Sequence, residues 1–269
     1  MKHSIVLSTQ LTRFEAATLT GDFENNLRRI AGWGYDGVEL AVRDPALVDA
    51  ETLAELTGRY GLRVPAIGTG QAWGEEGLSF TSQDAIVREQ AIQRIQSHIP
   101  LAKRLGALII IGLIRGITPA GQAREQSMQY LIEALQQCAD AAAPHSIRFA
   151  LEPLNRYETD LIHTTQDGLQ LIEQVGRPNF GLLLDTFHMN IEEPDMLESI
   201  QSCGEHIFHF HVADSNRWHP GAGHLDFASL LETLRYTGYD GFVSGEFLPK
   251  PDALTAAENS ITYLRNITG

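Results

Sequence analysis

The sequence predicts an α/β fold, a (β/α)8 TIM barrel, on three observations. Eight short runs rich in β-branched and aliphatic residues recur along the chain, and longer segments of helical period lie between them. The length, 269 residues, suits eight such units around a substantial core. Acids and a histidine stand at the C-terminal ends of the later runs, where a barrel of this kind carries its chemistry. A doubly wound open sheet is the rival, but IGTGQAWGEEG has glycines without the G-x-G-x-x-G spacing of a phosphate loop.

In chain order the expected strands are SIVLST (4–9), GVELAV (37–42), VPAIGTG (64–70), ALIIIGLI (107–114), IRFALEP (147–153), FGLLLDTFH (180–188), IFHFHVAD (207–214) and FVSGEFLP (242–249). REQAIQRIQSHIPLAKRLG exemplifies the helices, with Ile92, Ile95, Ile99, Ala102 and Leu105 at three- and four-residue steps. GWGYDG and RYGLRV mark turns from helix back to strand. No Pro-, Ser- or charge-rich linker divides the chain, so residues 1–269 are expected to form a single domain.

Thirty-four acids against twenty bases give a net charge of −14, a field that disfavours nucleic acid and anionic membranes as partners. Cys138 and Cys203 lie far apart and form no ligand-spaced pair, consistent with a reduced, cytoplasmic setting. No apolar stretch approaches the eighteen residues of a membrane span, and MKHSIVLSTQL lacks a small-residue cleavage site.

The last inward position of each late strand is polar: Glu152 in ALEP, Asp185 in LLLD, His211 in FHFH and Glu246 in SGEF. They follow one another at steps of 33, 26 and 35 residues, one βα unit each. Three carboxylates converging on one mouth repel unless a cation neutralises them. Oxygen donors with a single nitrogen favour Mn²⁺, Mg²⁺ or Co²⁺ over a thiolate-type zinc site. By the period of two, His209 and His211 share one face of strand seven, while Phe208 and Phe210 face the helices. His211 is the outer of the pair; His209, one layer deeper, reads as a packed, hydrogen-bonded residue. His206 precedes the strand, and Asp226 is expected to cap the next helix. Glu39 faces either the barrel interior or the helices, according to register.

LEPLNRYETD, LLLDTFHMNIEE, HFHVADSNRWHPGAGH and YDGFVSGEFLP together resemble the D-tagatose 3-epimerase family, within the xylose isomerase-like barrels. AVRDP, AIGTGQAW and IIIGLIRG resemble the 5-keto-L-gluconate epimerase branch, which acts on a keto-sugar acid. The resemblance implies that Glu152, Asp185, His211 and Glu246 bind one divalent metal, commonly Mn²⁺. It also implies that Glu158, His188 and Arg217 hydrogen-bond the substrate, and that the protein is a homo-oligomer, a dimer or tetramer.

Inverting a carbinol carbon beside a ketone removes a proton from one face and returns it to the other, through a cis-enediolate. Two carboxylates on opposite faces suit that traffic, so Glu152 and Glu246 are the expected catalytic pair. Arg115, closing IIIGLIRG at the same mouth, is the residue that would argue substrate. It either pairs with a substrate carboxylate such as that of 5-keto-L-gluconate or D-tagaturonate, or pairs with the site's own acids, or points to solvent. Gln71 and Trp73, after strand three, are placed to line the same pocket. An aldose–ketose isomerase would use nearly the same chemistry. A metal-dependent abasic-site endonuclease shares this barrel type but calls for more histidine ligands and a basic DNA-facing surface.

Overall fold

In a computed structural model, which describes residues 1–14 and 16–268, eight parallel strands close into a barrel in the order of the sequence. They are β1 (Lys2–Ser8), β2 (Glu39–Ala41), β3 (Ala66–Gly68), β4 (Leu108–Ile111), β5 (Phe149–Leu151), β6 (Phe180–Asp185), β7 (Ile207–Val212) and β8 (Phe242–Gly245). β1 pairs with β8 as well as with β2, which removes both sheet edges.

The helices between them are α1 (Phe23–Trp33), α2 (Ala50–Arg59), α3 (Gln71–Glu76), α4 (Ala85–Ser97), α5 (Ile99–Leu105), α6 (Arg124–Ala142), α7 (Thr165–Val175), α8 (Thr186–Glu192), α9 (Met196–Cys203), α10 (Phe227–Tyr236) and α11 (Ala253–Thr268). Several of their starts carry side-chain caps. Asp49, Asp84 and Asp226 accept backbone N–H groups at the starts of α2, α4 and α10, and Thr164 with Asp167 forms a capping box on α7.

Every strand is shorter at its C-terminal end than its apolar run, because there the chain turns away to form the mouth. FGLLLDTFH is strand only to Asp185, and TFH opens α8; IIIGLI is strand only to Ile111, and Leu113–Arg115 form a 3-10 turn. The helical pattern before strand four is also two helices. Pro100 lacks an N–H and its ring clashes with a carbonyl one turn back, and the chain breaks at His98, whose buried ring bonds the carbonyls of Arg94 (2.8 Å) and Val42 (3.0 Å).

Outward strand residues such as Ile5, Leu40, Ile109, Phe149 and Phe210 join the helices in the main core. Ala66, Leu108, Ile110, Ala150 and Leu183 point inward and fill the barrel. The expected outward orientation of Phe208 is corrected by a bulge. Leu182 pairs with Ile207 but Leu183 pairs with His209, which leaves Phe208 as the extra residue. Phe208 packs on the interior cluster, beneath the Arg148 guanidinium at 4.7 Å, while Phe210 keeps its outward place. Gly181 makes the room, since a Cβ there would lie 2.7 Å from the Phe208 ring. His209 and His211 then both face inward.

Candidate metal centre and active site

Each of the four expected ligands is delivered by the end of its own strand. Asp185 closes β6 opposite His211 of β7; Glu152 and Glu246 stand one residue beyond β5 and β8. Asp185 serves two elements at once. Its Oδ1 accepts the N–H groups of Phe187 (2.6 Å) and His188 (3.3 Å) to cap α8, and its Oδ2 lies 3.7 Å from His211 Nδ1. Glu152 Oε1 and Glu246 Oε2 each lie 3.8 Å from the same nitrogen. One donor atom from each of the four falls within 4.8 Å of the others.

Buried charge of one sign dominates the electrostatics. Burial, then Glu246 and Asp185, raises the Glu152 carboxyl well above its ordinary range against the pull of His211 and Arg115. Burial likewise raises Asp185, and pushes Glu246 up to about 7 against His211 and Arg217. Burial alone would lower His211, but Glu39, Glu246 and Glu152 outweigh it and hold its pKa well above the ordinary value. His211 Nδ1 and Glu152 Oε1 are buried without a hydrogen-bond partner. Two orphaned atoms in a ring of three acids and one imidazole are the donor set a hard divalent cation takes. The residues fit such an ion.

Glu39 settles on the interior side. It is buried between the two inward histidines of β7, its Oε2 lying 2.7 Å from His209 Nε2 and 3.0 Å from His211 Nε2. Burial opposes its charge, yet the two imidazoles hold its carboxyl well below the usual range.

A cavity of about 250 Å³ opens over the centre, lined among others by Phe14, Gln71, Trp73, Leu113, His188 and Arg217. His188 is buried, and burial with Arg217 and Arg115 nearby holds it neutral. Its Nδ1 accepts from the Asn155 backbone N–H (3.3 Å) and lies 2.7 Å from the Asn155 amide nitrogen. The proton is therefore on Nε2, which lies 3.7 Å from Glu152 Oε1 and has no partner of its own. Asn155 also donates to Glu158 Oε1 (3.1 Å), which in turn accepts from Arg217 Nη1 (2.8 Å). Arg217 sits in the left-handed backbone region at φ 60°, its guanidinium 4.9 Å from the Phe187 ring and 3.9 Å from Glu246. Gln71 donates to Ser8 Oγ (3.0 Å) and keeps its Oε1 unpartnered.

Arg115 does not join them. Its side chain is fully buried and donates to the carbonyl oxygens of Gly112 (3.1 Å), Ile111 (3.3 Å) and Glu152. It is not among the residues lining the cavity. The 3-10 turn after β4 folds the side chain back under the strand ends, so it braces the Glu152 backbone instead of meeting a substrate carboxylate. His219 and His224 bond within their own loop, to Pro220 O and Ser215 Oγ. Sequence reading missed Asn155, whose only local signal is an acceptor for Tyr157 N–H two residues on, and Asp214, which pins the loop carrying Arg217.

Fold and site thus define a class first: a (β/α)8 enzyme whose mouth gathers three acids and an imidazole around one point. Residues 27–267 match the family described as Xylose isomerase-like TIM barrel. The chain is 32% identical over 238 residues to the L-ribulose 3-epimerase of Methylomonas sp. (strain DH-1), covering 87% of this chain and 81% of that protein. It is 32% identical over 217 residues to the ketose 3-epimerase of Arthrobacter globiformis, covering 77% and 71%. The crystal structure of D-allulose 3-epimerase from Methylomonas sp. in complex with D-allulose superposes with a TM-score of 0.81 at 25% identity, over 99% of this chain and 98% of that one. The chain belongs to the xylose isomerase-like barrels and, within them, to the D-tagatose 3-epimerase family. It is an isomerase of the epimerase kind.

Proposed function

We propose that the protein is a divalent-metal-dependent ketose 3-epimerase that inverts the carbinol carbon beside the ketone, with Mn²⁺ as its metal. The observation that carries this reading is the convergence of Glu152 and Glu246, from β5 and β8, on the point that Asp185 and His211 also reach. Glu152, Asp185, His211 and Glu246 would hold the cation. When bound, it supplies positive charge that stabilises the negative charge developing on adjacent substrate oxygens.

The rest of the chemistry belongs to side chains. Glu152 and Glu246 come from opposite sides of the β6–β7 pair, so one can take the proton from C3 and the other return one to the opposite face of the cis-enediolate. His188 offers its Nε2–H to a substrate oxygen. The Glu158–Arg217 pair offers an acceptor and donors to the neighbouring hydroxyls, and Gln71 Oε1 accepts one more. Phe14, Trp73, Leu113 and Leu154 give the cavity an apolar wall beside these polar groups.

An uncharged ketose is the substrate class this cavity favours. Its two arginines are Arg217, already paired with Glu158, and Arg13, whose exposed side chain reaches Glu75 at 3.9 Å. With Arg115 buried, the keto-acid reading has lost the cation that motivated it. Cytoplasmic residence and assembly as a homo-oligomer, expected from the sequence and the family resemblance, complete the proposal. Among the described residues no helix is long and apolar enough to cross a membrane.

The test is ¹H NMR in D₂O with Mg²⁺-loaded enzyme, offered fructose, tagatose, 5-keto-gluconate and tagaturonate separately. New epimer carrying deuterium at C3 of a ketose is expected. Glu152→Gln and Glu246→Gln should each lower turnover by at least about 10²-fold. Either variant keeping full turnover with full metal occupancy would overturn the assignment of the pair.

A further inference from the structure

We infer that Glu39 is a positioning residue for the metal centre: it accepts the Nε2–H of His211 and so presents that ring's bare Nδ1 to the cation. The inference rests on reading Glu152, Asp185, His211 and Glu246 as the ligands, and it adds a residue from the far side of the barrel.

Glu39 lies in β2 and reaches across the interior to β7, 172 residues away in sequence. Its Oε1 and Oε2 lie 3.1 and 3.0 Å from His211 Nε2, and Oε2 lies 2.7 Å from His209 Nε2. All three side chains are at most 2% exposed, so water does not compete for these bonds. An ionised carboxylate only accepts, so the ring nitrogens facing it carry the protons. A cation in the ring of acids would take the place of the proton on Nδ1. The ring, then neutral and protonated on Nε2, has its lone pair on Nδ1, the atom 3.7–3.8 Å from Asp185, Glu152 and Glu246 and lacking a partner. His209 anchors Glu39 from below, which stops the carboxylate from rotating away or turning into the cavity as a fifth ligand. A carboxylate behind a metal-binding imidazole fixes its tautomer and orientation and raises its basicity.

Glu39, His209 and His211 also lie close enough together to hold an ion of their own. That would need both Nε2 atoms bare, whereas their distances to Glu39 are those of hydrogen bonds.

The test uses full-length protein. With ¹⁵N-histidine labelling and saturating Mg²⁺, long-range ¹H–¹⁵N correlation should find His211 as the Nε2–H tautomer. Titration with Mn²⁺, followed by the EPR signal of the free ion, should give a Kd for Glu39→Gln about 10- to 100-fold weaker than wild type. Wild-type His211 protonated on Nδ1, an unchanged Kd in Glu39→Gln, or two Mn²⁺ per chain would each overturn the inference. If Glu39→Gln does not fold, the wild-type tautomer decides alone. Wild type that binds no Mn²⁺ would instead defeat the ligand assignment itself, and this inference with it.

Discussion

Glu246 shows how burial ties one residue's protonation to the stability of the fold. In the metal-free protein burial raises its carboxyl from 4.5 to about 7, against the pull of His211 and Arg217. The folded state then holds a proton that the unfolded chain releases at lower pH. That contribution is fully present below about 4.5 and is lost as the pH climbs through 7. After EDTA treatment the Tm should be lower at pH 8 than at pH 5.5, and Glu246→Gln, which cannot ionise, should flatten the decline; parallel declines would refute the attribution. Arg115 makes a different prediction. Arg115→Ala removes the guanidinium from all three carbonyls. Ile111 O and Gly112 O keep the backbone N–H groups of Glu152 and Arg115, so the loss falls on Glu152 O, at about 1–3 kcal/mol for a buried acceptor left unmet. It should lower Tm, and reduce kcat/KM for a ketose and for a keto acid by the same factor. Selective loss on the keto acid would restore the pairing with a substrate carboxylate, one of the alternatives the sequence left open for it.

The loop between β7 and α10 is an element whose shape is set by one carboxylate. Asp214 is fully buried and accepts the N–H groups of Ser215 (2.8 Å), Gly221 (2.9 Å) and Leu225 (3.2 Å). That network fixes the turn in which Arg217 takes its left-handed backbone, with its N–H on Asp214 O and its carbonyl accepting from Leu248 N–H, both at 2.8 Å. Asp214→Ala should loosen Arg217 and cost about 10²-fold in kcat/KM while Mn²⁺ affinity stays close to wild type. Steady-state kinetics beside an EPR titration separate the two quantities. At this scale the sequence was legible where periodicity is local. The strands and helices announced themselves through the alternation of Ile, Val and Leu, and Asp226 through its place before FASLL. The break at His98 was legible only as a proline inside a helical pattern, and the pattern was the stronger signal.

At the scale of the molecule, charge and metal act together. Of the acids behind the net charge of −14, Glu152, Asp185 and Glu246 are concentrated in the mouth of the barrel, so removing the cation should destabilise the fold. With Mn²⁺ at a hundredfold its Kd, the folded state gains about 2.7 kcal/mol. That corresponds to a rise of about 5–10 °C in Tm over the EDTA-treated protein, measurable by scanning calorimetry, and no rise would argue against a site built by Glu152, Asp185, His211 and Glu246. The same charge predicts no electrophoretic retardation of abasic duplex DNA at physiological salt.

The sequence by itself determined the barrel and the strand ends at which Glu152, Asp185, His211 and Glu246 stand. Alternation in a strand and the length of a βα unit are local properties, and closure of eight such units brings their C-terminal ends to one mouth. Only the tertiary structure decided where Glu39 and Arg115 point, that Phe208 turns inward, and that Asn155 holds His188 and Glu158 together. Each of those depends on register across the sheet, on one bulge in β7, or on a hydrogen bond between side chains far apart in the chain. Such pairings are chosen by the closed barrel as a whole, because a buried polar group takes whichever partner the completed packing leaves within reach.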